Sequence, residues 1–276
     1  KNVYLVDLGT RNNRNLLPLG CGLISSYCQS LPELKKNYNF EILFTFKNLG
    51  DLVSQMDNPR VVGIACYVWN LKISLQLAKM VKEVFPNCTI VLGGYSVPKD
   101  PVRIGEFFSR NSAVDILVHG EGEITFSEIL LSFLSDNGLT GVEGTSYKTP
   151  DSISGFTTSL PRDRIENLDI LPSPFLNGVF DKVISKYGEV TTGAILETNR
   201  GCLQRAACRN EHAIFEPVRG HSFDAVGIHL ALAQEVFNCQ LFTRVRMAID
   251  ASPVEPRGSA IFDNLWRLAL PFSCLH

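Results

Sequence analysis

The stretch "DILVHGEGEITFSEIL", Asp115–Leu130, changes its hydrophobic period halfway along. Asp115–Gly120 reads as a short continuous apolar run ending at glycine, the pattern of a strand buried on both faces. From Phe126 onward the apolar residues Phe126, Ile129, Leu130, Phe133 and Leu134 recur at i, i+3, i+4, i+7 and i+8, the stripe of an amphipathic helix. Thr125 and Glu128 have the spacing of a capping box that would open this helix. One strand, one glycine-containing loop and one helix in sequence are half of a parallel crossover unit.

The same unit repeats upstream. "VYLVDL" (Val3–Leu8), "EILFTF" (Glu41–Phe46), "VVGIACY" (Val61–Tyr67) and "TIVLGG" (Thr89–Gly94) are further apolar runs, each closed by Gly, Asn or a polar turn. Between the last two, Leu77, Ala78, Val81, Val84 and Phe85 make an apolar stripe with Lys79, Lys82 and Glu83 opposite. Strand and helix alternating five times predict an α/β, doubly wound parallel sheet over residues 1–145. In such a sheet ligands lie beyond the carboxyl ends of the strands, where strand order reverses. Four loops are therefore candidates: 9–15, 67–70, 93–98 and 120–123. Gly93 and Gly94 remove two Cβ atoms where a large flat ligand would touch backbone, although a strand also ends at glycine simply to turn.

Composition narrows the function classes. Of 276 residues, 45% are hydrophobic and 20% charged, enough for one large core or two ordinary ones, and the net charge of −2 provides no basic field for nucleic acid. No apolar run is long enough to span a bilayer, and the opening "KNVYLVDL" has no cleavable signal pattern, so a cytoplasmic location is expected, with neither membrane nor nucleic acid as partner. The eight cysteines, at 21, 28, 66, 88, 202, 208, 239 and 274, lack framework spacing and are expected to be reduced thiols. The usual tenants of the architecture fit poorly. "DLGTRNNRN" lacks the glycine pattern of a dinucleotide site and offers only Thr10 as a hydroxyl for a flavin phosphate, and the third strand ends at Cys66 and Tyr67 where a phospho-acceptor would need aspartate.

Five motifs in order, "VVGIACYVWN", "IVLGGYSVPKDP", "DILVHGEGEITFSEIL", "LPSPFLNGVFD" and "ETNRGC", resemble those of the B12-binding radical SAM proteins, across residues 3 to 202. The resemblance implies a Rossmann-like cobalamin-binding domain (1–145), a proline-broken linker (146–195) and the start of a radical SAM barrel (196–276). By carry-over it places Tyr67, Val68 and Trp69 near the corrin, Gly93, Gly94, Tyr95 and Ser96 around its nucleotide tail, and Gly120, Glu121, Gly122 and Glu123 closing the side. It implies cobalamin as a cofactor, a [4Fe-4S] cluster and S-adenosylmethionine for the family, and a substrate not legible here. The Asp7-Leu8-Gly9 segment carries no histidine to ligate cobalt from below, and His119 reads as a hydrogen-bonded structural residue. Glu121 and Glu123, with no nucleophile nearby, read as shaping the loop and helix start.

The resemblance breaks at Cys202. The family continues with Cys-x3-Cys-x2-Cys, three thiolates for three irons, leaving the fourth iron for S-adenosylmethionine. Here Ala206 and Arg209 stand where the second and third cysteines belong, and the next cysteine is Cys208. Composition changes at the same point: residues 1–202 hold 11 Lys, 4 Ala and 1 His, whereas 203–276 hold 0 Lys, 10 Ala and 4 His. The expectation is that 203–276 is a frame-shifted or foreign continuation, and that radical chemistry is disabled. Cys208, His212, His221 and His229 have no spacing that defines a zinc site. Two readings stay open: the cobalamin-binding portion of a B12-dependent radical SAM enzyme, or a non-catalytic module binding cobalamin or another large planar ligand.

Overall fold

A computed structural model describes residues 1–9, 16–44, 48–135, 138–149, 152–188, 191, 193–195, 197, 199–200 and 219–220, all within one compact unit, 1–241. The zinc-site residues weighed above, Cys202, Cys208 and the rest of the tail beyond 220 lie outside the described residues. Five parallel strands, β1 (Asn2–Asp7), β2 (Asn39–Leu43), β3 (Pro59–Ala65), β4 (Thr89–Gly93) and β5 (Ile116–Val118), lie in the order β2-β1-β3-β4-β5. The doubly wound reading of the alternating apolar runs is thus what the chain adopts.

Successive side chains of a strand point to opposite faces, and the core divides accordingly. Val3, Leu5, Val61, Val91, Ile116 and Val118 pack under α1 (Leu19–Ser30), α2 (Pro32–Asn37) and α6 (Gly122–Ser132). Tyr4, Val6, Val62, Ile64, Ile90, Leu92 and Leu117 pack under α3 (Leu49–Ser54), α4 (Leu71–Val84) and α5 (Pro101–Arg110). Each fully buried Val, Leu or Ile contributes about 1.5–3 kcal/mol, which is why continuous apolar strands select the three-layer arrangement. Gly63 is the one thin point on β3: a Cβ there would lie 2.9 Å from both Leu5 Cδ2 and Phe126 Cε2, so α6 sits closer to the sheet than a larger residue allows.

Two expectations are corrected by the structure. Helix α6 begins at Gly122 behind Glu121, one turn before the Thr125–Glu128 box, and the Thr125 hydroxyl accepts from Arg162 Nε at 2.8 Å instead of capping. Residues 146–195 are more than a wrapped linker. After α6 the chain turns back without a crossover helix, so β6 (Thr145–Lys148) pairs antiparallel with β5, and β7 (Phe156–Thr158) pairs antiparallel with β6, extending the sheet to seven strands. Further on, α7 (Val179–Tyr187) docks on the α1 side of the core through buried Val179, Phe180 and Val183. A Cβ at Gly22 of α1 would overlap the Phe180 ring and stand 3.0 Å from Pro174 Cβ, so the glycine admits the "LPSPF" segment and α7 to the core. The prolines block regular structure in the stretch before α7 but do not keep it from packing: Ile165, Leu168 and Leu171 form a small buried cluster with Tyr27 and Ile124.

Candidate functional site

Strand order reverses between β1 and β3, because α1 after β1 lies on one face and α4 after β3 lies on the other. The loops beyond β3, β4 and β5 leave the carboxyl edge of the sheet, where the reversal lies. After β3, Asn70 is 2% exposed and ties the loop closed. Its Oδ1 accepts from Tyr67 N at 2.7 Å and its Nδ2 donates to the Ala65 carbonyl at 3.0 Å. With the backbone so fixed, Tyr67 and Trp69 stack, their centroids 4.8 Å apart and their planes 12° apart. Burial raises the Tyr67 phenol well above its usual value, helped by the nearby carboxylate of Asp7, while Val68 is 82% and Trp69 56% exposed. The loop turns apolar surface outward where most of the fold turns it inward.

After β4 the reason for the glycine pair becomes visible. Gly94 has φ +110°, and a Cβ there would lie 2.7 Å from the Cys66 carbonyl oxygen. Cys66 N donates to Gly93 O at 2.6 Å and Ser96 N donates to Cys66 O at 3.1 Å, lacing the β4 loop to the end of β3. Gly94 therefore serves a backbone-to-backbone contact within the protein. The next residue, Tyr95, is 89% exposed, a second apolar side chain turned outward from a strand-end loop.

The loop after β5 holds the acidic pair. Gly120 has φ +77° and nothing lies within 4 Å of where its Cβ would stand, so its backbone faces open space. His119 is structural as expected: its Nε2 is 2.8 Å from Ser146 Oγ, its amide donates to Gly144 O at 2.8 Å, and burial lowers its pKa. Glu121 and Glu123 do more than shape a helix start. Arg200, of the "ETNRGC" motif, donates from Nη2 to Glu123 Oε1 at 2.6 Å and from Nε to Glu197 Oε1 at 2.9 Å, with Glu121 Oε1 at 3.5 Å from its Nη1. Glu121 Oε2 also accepts from the Ile165 amide at 2.7 Å. The side chains of Arg200 and Glu123 are 14% and 7% exposed. Burial alone would disfavour the guanidinium charge, but the bonds to Glu197 and Glu123 outweigh it and hold the arginine firmly protonated.

Sequence reading took these two motifs separately and missed the contact, although a carboxylate pair without a local counter-charge is a signal for a distant arginine. The segment leading to Arg200 is anchored once more, where Leu17 N donates to Gly193 O at 3.0 Å in a parallel bridge beside α1. It thus reaches the carboxyl edge of the sheet, where Arg200 meets the loop after β5. Arg200 lies in the short strand β8 (Asn199–Arg200), paired antiparallel with β9 (Arg219–Gly220). Cys202, two residues on, lies outside the described residues. Among those residues no group of three or more His, Cys, Asp or Glu forms a metal site, and no helix is long and apolar enough to cross a membrane.

No family model matches the chain. It is 35% identical over 207 residues to the 2-(S-pantetheinyl)-carbapenam-3-carboxylate methyltransferase of Streptantibioticus cattleyicolor, covering 73% of this chain and 29% of that protein. It is 36% identical over 208 residues to the cobalamin-dependent radical SAM methyltransferase TokK of Streptomyces tokunonensis, again covering 73% of this chain and 29% of that one. Among solved structures, the cobalamin-dependent S-adenosylmethionine radical enzyme OxsB, with aqua-cobalamin and S-adenosylmethionine bound, shares the fold with a TM-score of 0.64 at 22% identity, over 86% of this chain and 32% of that one. The chain belongs to the cobalamin-dependent radical SAM family, and it spans 29% of the length of the two methyltransferases it matches.

Proposed function

We propose that this chain is a cobalamin-binding module of a B12-dependent radical SAM protein in which the radical chemistry is disabled. The observation that carries the reading is that the apolar residues Val68, Trp69 and Tyr95, in the loops after β3 and β4, are exposed, and that the backbone of Gly120 after β5 faces open space. A corrin is a large, flat, mostly apolar ring with polar edges, and such a ring is held by an apolar platform flanked by backbone groups. The residues present fit the group: the platform would bury one face of the ring, and Gly120 leaves room for close approach. Gly93, Gly94 and Ser96 act from behind by fixing the loop that carries Tyr95. The four carboxylate oxygens of Glu121 and Glu123 are turned toward Arg200 and the Ile165 amide, so this loop offers a ligand its Gly120 backbone before its side chains.

When bound, cobalamin in this family supplies a cobalt centre able to accept and deliver a methyl group. Val68, Trp69 and Tyr95 would orient the corrin and exclude water from the part of the ring they cover. The segment after β1, beginning Asp7-Leu8-Gly9, supplies no histidine that could hold cobalt. The cluster residues do not fit: with Ala206 and Arg209 in place of cysteines, Cys202 and Cys208 cannot supply three thiolates from one loop, and no step through a [4Fe-4S] cluster or S-adenosylmethionine is assigned. Methyl transfer to a small-molecule substrate, the activity named for the relatives, would belong to a chain with an intact motif. The four described cysteines, Cys21, Cys28, Cys66 and Cys88, are buried and free, which supports a reducing, cytoplasmic setting, and the net charge supports neither nucleic acid nor membrane as partner.

The test is to add hydroxocobalamin to the purified chain, remove the excess by gel filtration, and record the visible spectrum beside an iron assay after anaerobic reconstitution. Near-stoichiometric corrin with negligible iron is expected. No retained corrin would sink the cobalamin reading, and stoichiometric iron that is lost on Cys202 substitution would sink the claim that the radical site is disabled.

A further inference from the structure

We propose that Arg200 is a positioning residue that fastens the cysteine-bearing segment to the loop after β5, making "GEGE" and "ETNRGC" one electrostatic unit. For the meaning of Cys202 this rests on the cobalamin reading above; for the contacts themselves it does not. The guanidinium is gripped from two sides: by Glu123 and Glu121 from the loop between β5 and α6, and by Glu197 from its own segment. Three carboxylates around one planar five-donor fork fix its direction as well as its place, which a lysine's single ammonium would not do. The pairing spans 77 residues between Arg200 and Glu123, and it lies beside Gly120, whose backbone faces the proposed corrin side. The second anchor, Gly193 on Leu17, is a backbone bond that any sequence could make. The specific grip on the segment therefore comes from Arg200. Burial makes the arrangement decisive, because removing one partner leaves a carboxylate or guanidinium buried without its counter-charge.

Its job in the family context follows from position. Arg200 precedes Cys202 by two residues in sequence, so whatever holds Arg200 holds the chain at the start of the cysteine-bearing stretch. The same carboxylates belong to the loop proposed to flank the corrin. A bound corrin and the first cysteine would then be held in register through one ion-pair cluster.

Peptide-resolved hydrogen exchange on the full chain tests this. In Glu123→Gln and Arg200→Gln, peptides covering 197–202 should exchange about tenfold faster or more, while those over β1, β3 and β4 keep their native rates. Arg200→Lys, which keeps the charge and is the variant least able to unfold the domain, should fall between. Unchanged exchange at 197–202 in all three variants would overturn the inference. So would acceleration spread evenly over every strand in all three, which would mark Arg200 as a general stabiliser. With hydroxocobalamin bound, the native peptide should slow, whereas Arg200→Lys should retain the corrin spectrum with little slowing; equal slowing would also overturn it. If the native chain retains no corrin, the cobalamin reading fails, and the comparison without corrin still decides the role of Arg200.

Discussion

Asp7 ends β1 at the strand-order reversal, and burial pushes its carboxyl up to about 6. An acid whose folded pKa lies above its unfolded value of about 3.9 binds a proton more tightly when folded. The contribution of Asp7 to stability should therefore be greatest below about pH 4, fall as pH rises toward 6, and level off above. Asp7→Asn should remove that part of the slope and stabilise the protein at pH 7.5 by roughly 3 kcal/mol, read as a shift in urea midpoint between pH 4.5 and 7.5. A slope that survives the substitution would assign it to other groups. The neighbours of Asp7 explain the choice of residue types around it: Tyr67 and Cys21 both feel its charge, and burial keeps the thiol of Cys21 protonated. Asn70, which no motif reading singled out, shapes the edge more than any of the glycines do, because its amide closes the loop that exposes Val68 and Trp69.

At the scale of elements, α7 is the clearest departure from expectation. Its apolar stripe was hidden behind a proline-rich stretch that reads as a linker, yet Phe180 is 1% exposed and meets Phe175 edge-on at 4.8 Å. Phe180→Ala should cost about 3–5 kcal/mol in a urea titration if α7 is part of the same cooperative unit as α1. A cost below about 1 kcal/mol would show that the helix frays independently and that a linker description is adequate. The strap formed by Arg162, which bonds Thr125 and pairs with Glu128, pins the irregular segment before α7 to α6 by a similar long-range contact. Both contacts join residues far apart in sequence, so periodicity within a window carries no trace of them.

For the whole molecule, the two apolar layers share one sheet, and loosening either should loosen both. Leu77 of α4 is fully buried on the face opposite Phe180. Leu77→Ala and Phe180→Ala should shift the same single unfolding transition, and their costs should add in the double variant to within about 0.5 kcal/mol, since they share no partner. Two separated transitions by circular dichroism would instead divide the domain. The parallel strands, the family and the loss of the cysteine spacing after Cys202 are legible in the chain alone, because each is written in local period or in fixed spacing along it. Only the tertiary structure decided that the sheet runs on through β6 and β7, that Gly94 serves Cys66 backbone, and that Glu121 and Glu123 face Arg200. Those depend on which groups burial brings together across long stretches of chain, and a buried charge finds its partner in space, whatever the distance in sequence.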